Sequence, residues 1–202
     1  MSLKNIVGIE NWDTSKVTDF SATFQYCSNL KQLNIDAWDT SNGTSMAAMF
    51  YNCASLTTIP VDNWDTGKVT TMKSMFSKCT ALQNLNVSNF NLSSCTDISS
   101  MFSMNNYGSN SPPLTELDVS NWDVSNVVEA GWAFYGLGNL KALNVSKWDV
   151  SNISSFHHMF AWSYSLIIEG LENWNPKNAK TLNALFHSNK NTFYDLSNWN
   201  VS

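Results

Sequence analysis

The sequence is poor in charged residues, in histidine and in clusters of positive charge. Charged residues make up 13% of its 202 residues, and three residues are histidine. An ordinary globular domain carries about 25% charged residues. The formal net charge is −5, and the lysines are spread along the chain. Nucleic acids and anionic membranes bind to clusters of lysine and arginine, so neither is expected as a partner.

Long apolar runs are also missing, although 43% of the residues are hydrophobic. No run approaches the roughly 18 residues that cross a bilayer, so direct insertion into a membrane is not expected. The opening stretch, MSLKNIVGIENW, lacks the apolar core of a secretory signal. We interpret residues 1–8 as a tag or linker. If the protein is exported, its signal and anchor are expected outside this sequence.

What the sequence does have is a repeat of 26 residues. One aromatic column consists of Trp12, Trp38, Trp64, Phe90, Trp122, Trp148, Trp174 and Trp199. A second column, twelve residues further on, consists of Phe24, Phe50, Phe76, Phe102, Phe134, Phe160 and Phe186. The spacing widens once, at an insertion over residues 105–113. Two columns with a shared period indicate copies that stack and bury one continuous core.

The pattern within each repeat predicts a helix followed by a short strand. Apolar residues 5, 8, 11 and 12 positions after the tryptophan have the spacing of one helix face. Asp, Thr and Ser precede them, and these residue types begin helices. The later segment, such as LKQLNID, alternates as a strand does. We expect a single repeat domain over residues 1–202, which could be part of a longer array.

The full pattern, W-D-x-S-x-V-x-x-M-x-x-M-F-x-x-C-x-x-L-x-x-L-x-[IV], resembles the BspA-like leucine-rich repeats of bacterial and mycoplasma surface proteins. The resemblance covers nearly all of residues 9–202. It implies an α/β leucine-rich-repeat-like right-handed solenoid of about seven to eight repeats, with a parallel β-sheet on one face and helices on the other. It also implies an extracellular protein of the bacterial cell surface that adheres to host or matrix molecules.

Two columns could carry chemistry. Cys27, Cys53 and Cys79 fall on one face, where they could be buried thiols or could form a disulfide between neighbouring repeats. A metal site is not expected, because no histidine accompanies them. The column of Asp13, Asp39, Asp65, Asp123 and Asp149 could accept backbone N–H bonds or form a calcium ladder. We expect the backbone role, because asparagine substitutes for aspartate at some of these positions.

Two surfaces could bind a ligand. The strand face presents polar candidates, Asn34, Asn86, Asp118 and Asn144. On the opposite face, Trp132 replaces the small residue found in earlier repeats. Register places Trp132, Tyr135, His158 and Trp162 close together on neighbouring repeats, as an aromatic patch for a partner or a sugar ring. The alternative is local repacking between helices. Tyr107, in the insertion, is a further candidate.

We therefore expect a non-catalytic binding or adhesion module that recognises a host or extracellular-matrix protein or glycan. The three histidines have no neighbouring nucleophile in the predicted register, so neither an enzyme nor a cofactor is expected. The alternative function is a passive spacer that displays other domains at the cell surface. Open strand edges at the two ends of the stack would also allow end-to-end self-association.

Overall fold

The computed structural model describes residues 3–104, 111–190 and 193–201. Within them, regular secondary structure is limited to four elements of three residues each. They are the 3₁₀ helices Ile9–Asn11 and Leu171–Asn173 and the strands β1 (Ala142–Asn144) and β2 (Ile167–Glu169). The two strands pair in parallel, with Ala142 opposite Ile167. Most of the described chain is made of turns and irregular segments.

The predicted α/β solenoid, with helices on one face and a parallel sheet on the other, is therefore wrong. No α-helix occurs in the described ranges. The segments predicted as helices form successive tight turns instead. The Cys27 N–H, for example, donates to the Phe24 carbonyl at 3.0 Å. Tyr26, inside this turn, has a φ of 62°, and Ala22, in the preceding turn, has a φ of 57°. Left-handed residues at this spacing cannot belong to a right-handed helix.

Backbone N–H groups between these turn bonds donate to the next repeat. The Phe24 N–H donates to the Met49 carbonyl at 2.9 Å, and the Tyr26 N–H donates to the Tyr51 carbonyl at 2.8 Å. Parallel bridges join one residue per repeat in a continuous column: Asp19, Ser45, Thr71, Asp97, Glu129, Ser155 and Thr181. The apolar spacing thus comes from turns that stack at equivalent positions. We call the surface formed by these turns the turn face.

Two columns of stacked aromatic rings run through the core, beside buried aliphatic and methionine side chains. In the phenylalanine column, centroids of neighbouring rings lie 5.4–6.1 Å apart from Phe24 to Phe186, and interplanar angles do not exceed 19°. The tryptophans stack at 5.9–6.5 Å on both sides of Phe90. Each repeat contributes one ring to each column, so the core has the same period as the sequence.

The tryptophan indoles also fix the corner between repeats. The Trp148 Nε1–H donates to the Val119 carbonyl at 3.0 Å. The same carbonyl accepts the Trp122 backbone N–H at 3.2 Å. Trp38 forms the equivalent bond to Ile9 at 3.1 Å. A buried indole N–H needs such a partner, and here one carbonyl joins the corners of two successive repeats.

Gly170 allows the closest approach between two repeats. It has a φ of +93°, and a Cβ at this position would overlap the backbone of Ser146. Gly8 has a similar φ of +83° and precedes the other 3₁₀ helix, but a Cβ there would meet nothing within 4 Å. The two glycines therefore separate the cost of the left-handed conformation from the cost of a clash.

We expect Gly170→Ala to lower the free energy of unfolding by about 2 kcal/mol more than Gly8→Ala, because only the first forces repeats apart. Urea unfolding followed by tryptophan fluorescence would measure both variants. Equal losses would mean that Ser146 and its repeat move aside without cost.

Candidate functional site

Trp132, Tyr135, His158 and Trp162 line one surface cavity of about 440 Å³, together with Asn183, Ala184 and His187. The cavity lies on the turn face and draws these side chains from three consecutive repeats. The repeat register correctly predicted that the first four residues lie near one another. The helices that were expected to carry them are absent from the described residues. The other three residues complete the cavity from the next repeat.

The local backbone brings these side chains to the surface. Trp132, His158 and Trp162 occupy left-handed turn positions, with φ values of 57°, 54° and 59°. The same turn position as Trp132 holds small residues in the first four repeats: Ala22, Ala48, Ser74 and Ser100. A left-handed conformation costs about 1–3 kcal/mol for a residue other than glycine. Trp132 nevertheless stays 40% exposed, so burial offsets only part of that cost.

The rings around Trp132 are arranged on one side of its indole. The His158 ring stacks on the indole, with centroids 5.6 Å apart and an interplanar angle of 19°. The His157 ring meets it edge-on at 4.3 Å. Tyr135 is 5% exposed and lies 6.2 Å from the His158 ring. Tyr135 therefore fits the alternative of local repacking, whereas the exposed Trp132 does not.

Two paired histidines lie on this side of the cavity. His158 Nδ1 and His157 Nε2 lie 3.0 Å apart, and either nitrogen can carry the shared proton. Burial lowers the pKa of His158 from its ordinary value, and the neighbouring imidazoles of His157 and His187 lower it further. A cationic imidazole is disfavoured beside two others. Its surroundings therefore favour the neutral form of His158.

A second cavity, of about 300 Å³, lies on the other side of Trp132. Its remaining lining residues are Tyr51, Ser74, Ser77, Lys78, Ser100 and Ser103. The Lys78 Nζ sits 5.1 Å from the centroid of the Tyr51 ring. We call the two cavities together the turn-face groove. Tyr51, Lys78 and His187 were not predicted from the sequence as residues of this site. Tyr51 and His187 lie thirteen residues after a tryptophan, as Tyr135 does, so the signal was present.

Three of the candidate residues on the strand face form hydrogen bonds within their own turns. Asn86 lines a cavity of about 420 Å³, and Asp118 and Asn144 line one of about 380 Å³. An Oδ1 of each residue accepts the backbone N–H two residues on, at 3.0–3.1 Å. These oxygens are therefore already engaged. Asn34 is exposed, and Tyr107 lies outside the described residues.

The cysteines are free thiols in the structure. The Cys53 Sγ donates to the Phe24 carbonyl at 3.1 Å. Burial raises the pKa of the Cys53 thiol to about 12 and that of Cys95 to about 11, and it raises the pKa of Cys79 as well. Such thiols are poor nucleophiles at neutral pH. Cys53 and Cys79 act as small buried residues in their column, and Cys27 is partly exposed.

The aspartate column caps turns. The Asp13 Oδ1 accepts the hydroxyl and the backbone N–H of Ser15, at 2.6 and 3.1 Å. These bonds lower the pKa of Asp13 from its ordinary value. Asn91 accepts the Ser93 N–H in the same way at 2.9 Å. The expected backbone role therefore holds, although the aspartates begin turns and not helices.

Metal-binding clusters and membrane-spanning helices are both absent from the described residues. These residues contain no group of three or more His, Cys, Asp or Glu side chains placed to hold a metal ion. They also include no helix with the length and apolar character of a membrane span.

The fold and site define a protein of stacked 26-residue repeats with a groove of aromatic, serine and histidine side chains on its turn face. A family model described as "Mycoplasma protein of unknown function, DUF285" matches residues 2–115 and 104–202. The chain belongs to this family. No curated protein and no solved structure gives a significant match to it.

Proposed function

We propose that this protein is a non-catalytic binding module of a bacterial cell surface, and that it holds an extracellular ligand in the turn-face groove. The observation that carries this proposal is Trp132. It places a large, 40% exposed ring at a left-handed position where earlier repeats place alanine or serine. Strained, exposed aromatic residues are typical of binding sites.

The chemistry of the groove supports binding without catalysis. The imidazoles of His157 and His158 face each other and the ring of Trp132. The buried thiols have raised pKa values, so they would not supply a nucleophile at neutral pH. Catalysis of acyl or phosphoryl transfer would need a base that contacts a nucleophile and a group that orients the base.

The resemblance to BspA-like repeats supports the extracellular location and the adhesive role. Members of that group are surface proteins associated with adhesion to host or matrix molecules. The family description names mycoplasma proteins, which agrees with the mycoplasma surface lipoproteins in the same group. The ligand of the module would accordingly be a host or matrix macromolecule.

A passive spacer is the second candidate function. The engaged oxygens of Asn86, Asp118 and Asn144 support it, because a strand face that serves its own turns offers less to a ligand. The continuous aromatic core would also make a stiff rod. A spacer needs no groove, however, and the exposed Trp132 favours the binding module.

Arrays of extracellular-matrix proteins and glycans would test the proposal. We expect a reproducible ligand whose binding falls at least about tenfold in the double variant Trp132→Ala/Trp162→Ala, since an aromatic contact in a binding site contributes about 1–2 kcal/mol. The matched control is Glu116→Ala/Glu169→Ala, which changes two residues lining cavities on the strand face and should leave binding intact.

Other results would contradict the proposal. Loss of binding in the glutamate variant alone would assign recognition to the strand face. A folded protein without any ligand above background would favour the spacer.

A further inference from the structure

The turn-face groove spans several repeats. Tyr51 belongs to the second repeat, Trp132 to the fifth and His187 to the seventh, and all three line its cavities. Rungs of a parallel stack lie roughly 5 Å apart, so the groove extends for roughly 25 Å along the stack axis. This length suits an extended chain molecule better than a single small ring.

Trp132 divides the groove and offers one open ring face. The His158 ring covers one side of the indole. The other side borders the cavity that contains Ser100 and Ser103. An aromatic face above hydroxyl groups can stack on the C–H face of a pyranose while the hydroxyls bond to its edge. Trp162 lines the cavity on the far side of Trp132.

The charges of the groove favour a neutral ligand. Acidic residues outnumber basic residues in the chain, 16 to 11. Among the described residues that line the two cavities, however, none is acidic, and Lys78 carries the one fixed charge. The ammonium of Lys78 lies over the Tyr51 ring, and the side chain of His158 packs against the rings of Trp132 and His157. A cationic chain would find no complementary charge among these residues, and a strongly anionic chain would find only the ammonium of Lys78, which already lies over Tyr51.

Backbone pairing on the turn face disfavours an extended peptide. A peptide that adds a strand needs unpaired N–H and carbonyl groups at an edge. The Ser74 N–H already donates to the Ser99 carbonyl at 2.9 Å, and the Trp132 N–H donates to the His157 carbonyl at 2.8 Å. Recognition on this face must therefore come from side chains, and these are mostly rings and hydroxyls.

We infer that the groove binds a linear, uncharged oligosaccharide that lies along the stack axis. One pyranose ring stacks on the open face of Trp132 beside Ser100. The next ring enters the cavity between Trp132 and Trp162. The remaining rings continue toward Tyr51 at one end and His187 at the other. This inference rests on the proposed function, because it assigns a ligand class to the same groove.

Calorimetric titration with defined linear glycans tests the inference. Cello-, chito- and malto-oligosaccharides of two to six rings are the neutral probes, and hyaluronan oligosaccharides are the acidic comparison. We expect one neutral series to bind, with an affinity that rises with length and levels off at about five rings, when roughly 25 Å of groove is filled. Disaccharides should bind weakly, because they fill only the part of the groove next to Trp132 and leave both of its ends empty.

Variants of exposed tryptophans locate the binding. Trp132→Ala should weaken binding of the hexasaccharide about thirtyfold, because it removes both ring stacking and apolar burial. Trp132→Phe keeps a ring face and should stay within about fivefold of the natural protein. Trp12→Ala is the matched control, since Trp12 is 56% exposed and does not line the groove. Circular dichroism would verify that each variant is folded.

Each contrary outcome separates the glycan assignment from the proposed function. A matrix protein that binds through Trp132, with no glycan binding, overturns the glycan and leaves the binding module standing. A preference for hyaluronan overturns the neutral ligand. Glycan binding whose affinity does not change in the Trp132 variants or with oligosaccharide length would show that the glycan does not bind in this groove. An absence of both protein and glycan ligands overturns the inference and the proposed function together.

Discussion

Phe76→Ala is expected to lower the free energy of unfolding by about 4 kcal/mol, within the range for removing a fully buried phenylalanine ring. Phe76 is 0% exposed. It lies in the middle of the phenylalanine column, 5.6 Å from the Phe50 ring and 5.4 Å from the Phe102 ring. Both neighbours are held by their own repeats, so they cannot close the cavity that the substitution leaves.

Chemical denaturation of the Phe76→Ala variant would measure the loss. Phe193→Ala is the matched control, because Phe193 is 78% exposed, and its removal should change stability by less than about 0.5 kcal/mol. A Phe76→Ala loss below about 1 kcal/mol would show that the repeats relax into the gap. That result would contradict a core built on stacked rings.

Trp148→Ala should cost a similar amount, about 4 kcal/mol. The Trp148 ring stacks between Trp122 and Trp174, with centroids 6.1 Å away on both sides. Its indole N–H donates to the Val119 carbonyl. The substitution therefore opens a cavity and removes one of the two hydrogen bonds that this carbonyl accepts.

Trp148→Phe separates these two effects. A phenyl ring already occupies this column at Phe90, which is 3% exposed, so the corner can accept it. We expect a loss of about 1–2 kcal/mol, from one hydrogen bond and a smaller ring. Thermal and urea unfolding of both variants would compare the losses. Equal losses for alanine and phenylalanine would mean that the hydrogen bond, and not ring stacking, stabilises the corner.

The aromatic core could be predicted from the sequence because its residues recur with one period. Trp38 and Trp64, or Phe50 and Phe76, stack because equivalent residues of neighbouring repeats are adjacent in space. The same register brought Trp132 and Trp162 to one cavity. A prediction from the register requires only that the repeats stack, so it was correct even though the predicted secondary structure was wrong.

The helices could not be excluded by apolar spacing alone, because tight turns and helix turns return a side chain to the same side at nearly the same interval. The distinguishing feature is the left-handed backbone at positions such as Ala48 and Asn52. Asparagine and glycine tolerate this conformation, and Gly136 in the Asn52 column was a signal. The alanine, serine and tryptophan residues at such positions gave no indication of a left-handed backbone.

The groove was predicted only in part. Trp132 was noticed because it departs from the small residues in its column. Tyr51 and Lys78 could not be predicted as groove residues, because the sequence alone does not show that the turns place them beside each other and in the same cavity as Trp132. The fold decides which columns share a surface, and the turns place residues ten, thirteen and fourteen positions after each tryptophan on the same face.

The 26-residue register of hydrogen bonds has a consequence at the level of the gene. Phe24 bonds to Met49 as Phe50 bonds to Met75, so a recombination that removes or adds one whole unit rejoins equivalent partners. Array length can therefore vary among lineages without a new core having to evolve. The turn-face groove draws on unlike repeats, and only exchanges outside the stretch from Tyr51 to His187 would leave it unchanged. Changes in the number of repeats can thus alter the length of the protein without altering the residues of the groove.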